Sequence, residues 1–459
     1  MKSLTMATIA EITQGRMVNP EAKDVVIKGI ATDTRIDLSG ALFVALRGAR
    51  FDAHDFIEAA ERNGAIALLV EREVDSLLPQ VIVNDTQLAL GHLAGYQRAA
   101  YNIPTIALTG SCGKTTTKEM LNSILEQVGV VHATEGNYNN EFGVPFTMFR
   151  LEESHDYSVI EMGAAKPGDI HYLTLIVKPD VALITCVAEA HLEGMGSLQG
   201  VANTKGEILD GLTETGTAIL PLDRAWLDEW KTKIKPQQRL ITFGNEIEAD
   251  VFATQQQLAI DHSQFLLHYR HQTISVELPL AGQHNITNAL AASAAAIALG
   301  ASLENCAQGL NQVRASVGRM VSLTGINRSH IIDDSYNANP SAVVAAGNIL
   351  SEYTGKRILV LGDMAELGDD SKQIHYHTGR KIRHFDIDQL LTVGKLSASL
   401  AEGFGDNALH FNTKETLIDY LQPLLSHKTH VLVKGSRSAH MEDIIRALLA
   451  PEEAKEKIL

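Results

Sequence analysis

Short apolar runs alternate with polar segments along most of the chain, and the spacing of the apolar positions changes from run to run. Before residue 101 the runs GALFVAL and AIALLVE have the length of strands, whereas HDFIEAAERNG has helical spacing. From Thr105 onward, strand-like runs such as TIALTG, YSVIEMGA and DVALITCVA alternate with helical segments such as TTTKEMLNSILEQVG. This alternation is typical of a parallel sheet with helices on both faces.

Two changes of pattern predict three domains. The first is the step Asn102-Ile103-Pro104, where the proline disfavours a continuing helix. The second follows the Ala-rich segment ALAASAAAIALGA and falls near Val317. We therefore predict an α/β fold with a small mixed α/β domain over residues 1–100, a central parallel-sheet domain over 101–316 and a C-terminal Rossmann-like α/β domain over 317–459.

Composition and charge narrow the classes of function. The chain has 459 residues, 45% of them hydrophobic and 20% charged, which is typical of folded globular proteins. A net charge of −16 argues against nucleic-acid and anionic-membrane binding but permits an anionic small ligand at a helix N-terminus. The opening segment MKSLTMATIAEITQG lacks the apolar core of a signal peptide, and no apolar tract reaches the roughly 18 residues of a membrane span. We expect a cytoplasmic protein without membrane insertion.

The three cysteines are Cys112, Cys186 and Cys306. Because they are dispersed and odd in number, they suggest neither a disulfide framework nor a zinc cluster, and they fit a reducing compartment. Cys112 lies just before a predicted helix, where it is open to oxidation or alkylation, although the simpler interpretation is that it fills space in a loop.

The segment LTGSCGKTTTKEM predicts a phosphate-binding loop and makes the central domain P-loop ATPase-like. Glycines let the backbone approach an anion, the amides at a helix start point toward it, the lysine adds positive charge and a threonine hydroxyl binds magnesium. The loop is shorter than an ordinary Walker A, because Leu108 stands where that motif has glycine. A glycine-rich turn that only caps a helix is the alternative. The predicted loop residues are Gly110, Ser111, Cys112, Gly113, Lys114, Thr115 and Thr116.

Two further residues are candidates for the same site. Glu161 ends the strand-like run YSVIEMGA, where a magnesium ligand is expected beside a phosphate loop, although an ordinary loop carboxylate fits equally well. Lys205 lies on the apolar stripe of SLQGVANTKGEIL, and a buried lysine is costly unless it is paired or neutralised. The pattern alone favours snorkelling of Lys205 to the helix edge. The alternative is a neutral amine that adds carbon dioxide and, as a carbamate, helps to hold a metal ion.

The segments TGSCGKTTT, EMGA, AEAHLEGMGSL with TKGEI, GQHNITNALAA and DDSYNANP occur in the order found in the Mur ligase family. The chain resembles this family over nearly its whole length, and most of all the members that act on D-alanyl-D-alanine. The resemblance implies an ATP-dependent amide ligase of peptidoglycan precursor synthesis. Such an enzyme joins D-alanyl-D-alanine to the carboxylate of a UDP-N-acetylmuramoyl-tripeptide through an acyl phosphate, with two Mg²⁺ ions and as a monomer.

The resemblance also implies roles for particular residues. It places Thr115, Glu161, His191 and a carbamylated Lys205 at the metal ions, and gives catalytic roles to Lys114, Lys205, His191 and Arg319. It places Asn285, Asn288, Arg319 and Asp334 at the nucleotide. Asn285 and Asn339 also fit the N-caps of helices. The residues that it assigns to the substrates are Thr34, Arg35, Asp52, His54, Asn137, Asn139, Asn140, Tyr336 and Asn337.

Other functions stay open at this point. A Mur-type ligase that adds the third amino acid carries an Asp-Asn-Pro-Arg segment, whereas this chain has NANPSAV in the corresponding region. A folylpolyglutamate synthase-like enzyme shares the phosphate loop and the lysine but is expected to lack the segments YNANPS and NYNNEFGVP. From a different class, a nucleotide-binding regulator without ligase activity would have no need of Arg319 and Asp334 from a third domain.

Overall fold

The computed structural model describes residues 1–48, 51–189, 192–223, 225–259, 261–314 and 317–450. Within these ranges the chain forms three successive α/β units, each built on its own main sheet, which confirms the predicted fold class. The three sheets use strands from residues 16–82, 105–278 and 321–434. The domain limits 1–100, 101–316 and 317–459 agree with these spans and stay predictions.

The N-terminal unit contains a mostly parallel sheet with helices packed against it. Its strands are β1 (Leu4–Thr5), β2 (Arg16–Met17), β3 (Val26–Ile27), β4 (Gly29–Ala31), β5 (Ala41–Val44), β6 (Ala67–Val70) and β7 (Gln80–Ile82). Its helices are α1 (Met6–Thr13), α2 (Ile57–Arg62) and α3 (Thr86–Tyr101). The main sheet has the order β2-β7-β6-β5-β4, in which only β2 is antiparallel to its neighbour, and β1 pairs separately with β3.

The sequence pattern predicted α2 but missed α1 and α3. Glycine and alanine occupy much of the buried face of helix α3, so large apolar residues do not recur at clear helical spacing in its sequence. These small residues have a packing reason. A Cβ atom at Gly91 would come within 2.5 Å of the Tyr172 hydroxyl, so the glycine lets α3 lie close to the central unit.

The central unit contains most of the secondary structure that positions the site. Its strands are β8 (Thr105–Thr109), β9 (Val131–Ala133), β10 (Tyr157–Glu161), β11 (Val181–Ile184), β12 (Thr217–Pro221), β13 (Arg239–Gly244), β14 (Val251–Leu258), β15 (Ser263–Tyr269) and β16 (Gln272–Leu278). Its helices are α4 (Lys114–Leu125), α5 (Gly143–Phe149), α6 (Asp169–Val177), α7 (Leu192–Met195), α8 (Leu198–Gly206), α9 (Leu227–Lys231), α10 (Gln283–Ala298) and α11 (Leu303–Asn311).

The order of the central sheet is β16-β15-β14-β13-β12-β11-β8-β10-β9. The strands from β9 to β14 run parallel, and β15 and β16 extend the sheet as an antiparallel meander. Strand β8 lies between β11 and β10, so the segments that follow these three strands meet at one edge of the sheet. Ligands of open α/β sheets bind at this edge.

The C-terminal unit is a second, smaller parallel sheet. Its strands are β17 (Val321–Thr324), β18 (His330–Asp334), β19 (Lys356–Leu361), β20 (Gln389–Val393), β21 (Ala408–Phe411) and β22 (Thr429–Lys434). Its helices are α12 (Pro340–Ser351), α13 (Ser371–Ile382), α14 (Ser397–Phe404), α15 (Lys414–Leu421) and α16 (Glu442–Leu448). The order is β17-β18-β22-β19-β20-β21, with only β17 antiparallel, and residue 334 at the end of β18 lies opposite residue 434 of β22.

The Ala-rich helix α10 is packed into the core of the central unit. Most of its alanines are fully buried, and their small side chains let the helix lie close to α4. One result is that Asn288 of α10 reaches the start of α4, where a Cβ atom on Gly113 would come within 2.3 Å of its Oδ1 atom. Among the helices described, none is long and apolar enough to cross a membrane.

Helix α12 begins as the sequence indicates, and this start gives a first testable prediction. Asn339 is the N-cap, its Oδ1 atom accepts a hydrogen bond of 2.8 Å from the Ala342 amide, and Pro340 is the first helical residue. We expect Asn339→Ala to lower the free energy of unfolding of the C-terminal unit by about 1 kcal/mol. Thermal unfolding compared with Asn339→Ser, which keeps a capping oxygen, tests this. An equal loss in both variants would contradict the capping role.

Candidate active site

The loop between β8 and α4 requires glycine at two positions. Gly110 has φ +154° and Gly113 has φ +77°, both in the region that favours glycine. Space is equally restrictive, because a Cβ atom on Gly110 would come within 1.9 Å of the Thr185 hydroxyl oxygen. Gly113 is the N-cap of α4 and offers no side chain to its first amides. The loop therefore presents backbone N–H groups at the positive end of a helix, the arrangement that binds phosphate.

Lys114 begins α4 and its side chain folds back over this loop. Its Nζ atom donates a hydrogen bond of 2.7 Å to the Gly110 carbonyl. Burial lowers the pKa of Lys114, the Glu161 carboxylate opposes the shift, and the Arg319 guanidinium adds to it. The lysine thus lies in the electric field of both residues.

A chain of hydrogen bonds joins the loop to the end of β10 and to the C-terminal unit. The Thr115 hydroxyl donates to Oε2 of Glu161 at 2.9 Å. Arg319 Nη2 donates to the same hydroxyl oxygen at 3.0 Å. On the other side, Asn139 Nδ2 donates to Oε1 of Glu161 at 2.8 Å. Glu161 is only 2% exposed, so it is a buried carboxylate with fixed partners and not an ordinary loop residue.

The donor set here fits magnesium when a phosphate ligand completes it. The Thr115 hydroxyl and the Glu161 carboxylate are the hard oxygen ligands that Mg²⁺ prefers. In the described ranges no group of three His, Cys, Asp or Glu side chains is placed to hold a metal ion without further ligands. Magnesium commonly binds through one or two carboxylates together with substrate phosphates and water, which matches this arrangement.

The snorkelling predicted for Lys205 is wrong. Its residue exposure is 1%, and Trp230 of α9 packs against the same end of α8, where it donates a hydrogen bond of 3.1 Å to the Ala202 carbonyl. Burial and, second to it, the charge of Lys114 lower the pKa of Lys205 to about 7, with Asp169 and Glu207 opposing the shift. A substantial fraction of this amine is therefore neutral at physiological pH. The predicted metal ligand His191 lies outside the described residues.

A cavity of about 280 Å³ separates the phosphate loop from the C-terminal unit. It brings together the residues that the sequence placed at the nucleotide, apart from Gly110. From the central unit its lining includes Ser111, Cys112, Gly113, Lys114, Thr115, Thr116, Asn285 and Asn288. From the C-terminal unit its lining includes Arg319, Asp334, Asn337, Asn339 and Lys434.

Lys434 and His284 line this cavity but were not singled out from the sequence. Lys434 Nζ donates to Oδ2 of Asp334 at 2.6 Å and to the Asn337 carbonyl at 2.8 Å. His284 lies nearby, and burial lowers its pKa, with Asp334 opposing the shift and Lys434 adding to it. The available signal was the position of Lys434 at the end of the apolar run HVLVK, because ligands of open α/β sheets bind at the carboxyl ends of the strands.

Two expectations for single residues change in detail. Asn285 does not cap α10, because Gly282 is the N-cap and the side-chain Nδ2 atom of Asn285 donates to the Ala281 carbonyl at 2.8 Å. Tyr336, predicted at the substrate, stacks its ring 4.3 Å from the Arg319 guanidinium, a cation–π contact that holds the arginine toward the loop.

The asparagines of the segment NYNNEFG separate in the structure. Asn137 is exposed, whereas Asn139 bonds Glu161 as described above. The Oδ1 atom of Asn140 accepts a hydrogen bond of 2.9 Å from the Gly143 amide at the start of α5. The three asparagines were predicted together at the substrate, but they lie in three different environments. Of the three, Asn139 is the one whose hydrogen bond to Glu161 is described above.

Residues Thr34, Arg35, Asp52 and His54 of the N-terminal unit do not line the 280 Å³ cavity. Arg35 is exposed and pairs with Asp33 at 2.7 Å. The buried His54 accepts a hydrogen bond of 2.9 Å at Nε2 from the Glu71 amide, so its Nδ1 atom donates to Asp52 at 2.5 Å. Backbone and side-chain hydrogen bonds from His54 hold the pKa of Asp52 well below its usual range. His54 thus anchors its own loop, and this contact favours a positioning role over direct substrate contact.

The sequence suggested no disulfide framework, but two of the three cysteines lie together in the structure. The structure joins the sulfurs of Cys112 and Cys186, whose Cα atoms are 6.3 Å apart. Spacing in the sequence gave no sign of this pair, because 74 positions separate two residues that adjacent parallel strands bring together. Cys306 is free and buried.

The fold and the cavity define a phosphate-loop protein in which a second α/β unit closes over the loop. Family models cover each unit: "Mur ligase family, catalytic domain" matches residues 26–98, "Mur ligase middle domain" matches 108–296, and "Mur ligase, glutamate ligase domain" matches 318–437. The chain belongs to the Mur ligase family.

Individual relatives match over the full length. The chain is 43% identical to the Escherichia coli UDP-N-acetylmuramoyl-tripeptide–D-alanyl-D-alanine ligase, covering 98% of this chain and 99% of that protein. A crystal structure of MurF from Acinetobacter baumannii is 37% identical, covers 100% of both chains and superposes with a TM-score of 0.92. MurF ligase from Thermotoga maritima in complex with ADP is 27% identical, covers 94% of this chain and 98% of that chain, and has a TM-score of 0.84.

Proposed function

We propose that the protein joins D-alanyl-D-alanine to the C-terminal carboxylate of a UDP-N-acetylmuramoyl-tripeptide, with conversion of ATP to ADP and phosphate, in peptidoglycan precursor synthesis. Full-length identity of 43% to a relative with this printed activity supports the proposal. The structural observation that carries it is the hydrogen bond between Arg319 of the C-terminal unit and Thr115 of the phosphate loop, beside a cavity that both units line. The similarity to MurF bound to ADP supports ATP as the nucleotide.

The chemistry follows from the poor reactivity of a carboxylate. Its oxygen is not a leaving group, so an amine does not displace it in water. Transfer of the γ-phosphoryl group from ATP to the carboxylate oxygen gives an acyl phosphate and ADP. The dipeptide amine then attacks the acyl carbon, the C–N bond forms, the C–O bond breaks, phosphate leaves and the amine loses a proton.

The residues of the cavity suit the first of these steps. Phosphoryl transfer needs positioning and charge neutralisation more than covalent help from the protein. Lys114 and Arg319 would supply positive charge from opposite sides of the loop, and the loop amides would hold the phosphates. Thr115 and Glu161 would hold magnesium, which when bound supplies further positive charge at the phosphate oxygens. Enclosure by the C-terminal unit would exclude the water that hydrolyses an acyl phosphate.

We further propose that Lys205 is carbamylated. Only the neutral amine adds carbon dioxide, and a pKa of about 7 makes this form accessible. The product is a carbamate at the end of the Lys205 side chain. Its oxygens would be metal ligands like those of Glu161, at a second metal position. As an enzyme of a UDP-linked precursor, the protein is proposed to act in the cytoplasm and as a monomer.

The test is phosphate release from ATP and magnesium with UDP-N-acetylmuramoyl-tripeptide, with and without D-alanyl-D-alanine. The proposal predicts sustained release only with both substrates, and a product heavier by the dipeptide less one water. Release that requires UDP-N-acetylmuramoyl-dipeptide and a diamino acid instead would identify a ligase of the third amino acid. Nucleotide turnover that ignores every amine would favour a nucleotide-binding regulator.

Arg319 gives a second prediction. Removal of its guanidinium takes a charge-assisted donor from the loop, so Arg319→Ala is expected to lower kcat/KM for ATP by about 10²-fold to 10³-fold. Arg437 is a matched control, because its guanidinium also lies near the Tyr336 ring, at 6.0 Å from the ring centre. Steady-state phosphate release should show less than a few-fold effect for Arg437→Ala. Equal effects of the two substitutions would contradict the role given to Arg319.

A further inference from the structure

Cys112 and Cys186 form a pair at the centre of the phosphate loop. Cys112 is an exposed residue of the loop itself, and Cys186 follows β11 and is partly exposed. Their Cα atoms are 6.3 Å apart, inside the range of about 4.4–6.8 Å that a disulfide spans. The sulfurs are in contact, and a small oxidant can reach them from solvent.

Noncovalent contacts bring the two residues together independently of any bond between the sulfurs. The Ser111 amide donates to the Cys186 carbonyl at 3.0 Å, and the Thr185 hydroxyl donates to the Cys112 carbonyl at 2.6 Å. One step earlier, the Thr185 amide donates to the Thr109 carbonyl at 2.9 Å. Because the backbones of β8 and β11 set this geometry, the reduced protein presents its two thiols side by side.

The contact between Cys112 and Cys186 engages a backbone amide of the loop that a bound phosphate would use. The Cys112 amide donates to the Cys186 sulfur at 3.3 Å. Amides of a phosphate loop are the donors that a bound phosphate accepts from, and they must turn toward it together. A covalent link to Cys186 would keep the Cys112 segment against β11 and limit this rearrangement.

We propose that Cys112 and Cys186 are a reversible oxidation site whose disulfide weakens nucleotide binding at the phosphate loop, an inference that rests on the proposed function. The oxidant is a low-molecular-weight disulfide. The thiolate of one cysteine attacks it and releases one small thiol, and the thiolate of the other cysteine then attacks the mixed disulfide and releases a second. Two protein thiols are oxidised to one disulfide, and their two electrons and two protons reduce the small disulfide to two thiols. A dithiol reductant reverses the reaction.

The third cysteine is an internal control. Cys306 is buried, and burial raises the pKa of its thiol to about 12. Since the thiolate is the reactive form, Cys306 is expected to stay unmodified under the same treatment. The chain thus offers one accessible pair and one inaccessible thiol.

The first measurement is chemical and does not depend on catalysis. The full chain is incubated with oxidised glutathione, and its intact mass is compared with that of the reduced chain. The proposal predicts the loss of two hydrogen atoms and, after proteolysis without reductant, a peptide that links Cys112 to Cys186. The Cys186→Ser variant should form no such link, whereas Cys306→Ser should behave like the wild type. Absence of the link in the wild type would overturn the proposal.

The second measurement is calorimetric binding of ATP with magnesium to the same samples. Oxidised wild type is expected to bind about tenfold more weakly than reduced wild type, the scale of one hydrogen bond to a charged group, and a dithiol should restore the affinity. Cys186→Ser should bind like reduced wild type before exposure to the oxidant, and after exposure its mass should show a glutathione adduct on Cys112 and no internal link. Equal affinity of linked and reduced wild type would overturn the proposal alone. Failure of the reduced protein to bind ATP would overturn the proposed function with it.

Discussion

Replacement of Lys114 by methionine is expected to lower kcat/KM for ATP by about 10³-fold. Methionine keeps an unbranched apolar side chain but removes the ammonium group that lies over the phosphate loop and in the field of Glu161 and Arg319. The loss should exceed that of an ordinary hydrogen bond, because the charge acts inside a cavity enclosed by two units, where screening by water is weak.

Lys118 provides the matched control for this prediction. It lies one turn further along α4, is more deeply buried than Lys114, and donates to the Thr134 carbonyl away from the cavity at 2.6 Å. Lys118→Met should reduce thermal stability while leaving the KM for ATP within a few-fold of the wild type. Phosphate-release kinetics and calorimetric ATP binding measured on both variants separate the two effects. Wild-type ATP binding and turnover in Lys114→Met would contradict the assignment of the loop.

Replacement of Lys205 by methionine is expected to lower kcat by about 10²-fold or more and, in protein kept free of carbon dioxide and bicarbonate so that the lysine is unmodified, to stabilise the fold at neutral pH. The loss of activity follows from removal of the proposed carbamate, which would supply an oxygen ligand at the second metal position. The stabilisation follows from linkage. The pKa of Lys205 is about 7 in the folded chain and about 10.4 when unfolded, so between these values the unfolded state binds more protons. The contribution of Lys205 therefore raises the free energy of unfolding of the wild type as the pH rises from about 7 to about 10. Below about pH 7 the lysine is charged in both states, and the full cost of burying that charge is present.

The pH profile distinguishes this account from a purely structural lysine. The gain in melting temperature of Lys205→Met over the wild type should be largest near about pH 6 and should shrink as the pH approaches about 10. A carbamate also has its own signature, a ¹³C resonance after incubation with labelled bicarbonate, present in the wild type and absent in Lys205→Met. Lys231→Met, on the exposed face of α9, should leave all three readouts unchanged. Full activity of Lys205→Met would contradict the proposed role.

Local sequence predicted the phosphate loop well because all of its determinants lie in one segment. Gly110, Gly113 and Lys114 follow one another at the junction of β8 and α4, so strand, turn and helix signals coincide. The same holds for the start of α12, where Asn339 and Pro340 specify a cap through local chemistry alone. The fold class followed from the alternation of strands and helices.

The other features of the site depend on which surfaces pack together. Local sequence patterns do not carry that information. The contact of Arg319 with Thr115 joins residues 204 positions apart, and the pairing of Asp334 with Lys434 joins adjacent strands that are distant in sequence. Lys205 was recognised on an apolar stripe, but its nearly complete burial was not predicted, because the sequence does not show which segments pack over that stripe. The resemblance to the Mur ligase family supplied Arg319 and Asp334, and neither it nor spacing supplied the Cys112–Cys186 pair.

In the proposed reaction, ATP activates the peptide carboxylate as an acyl phosphate before the dipeptide amine attacks. The most direct test of this step uses UDP-N-acetylmuramoyl-tripeptide labelled with ¹⁸O in the C-terminal carboxylate, with ATP, magnesium and D-alanyl-D-alanine. The mass of the released phosphate is then measured. The account predicts that one labelled oxygen per turnover appears in the phosphate and that the amide retains the other. Unlabelled phosphate with full conversion to the amide would contradict it.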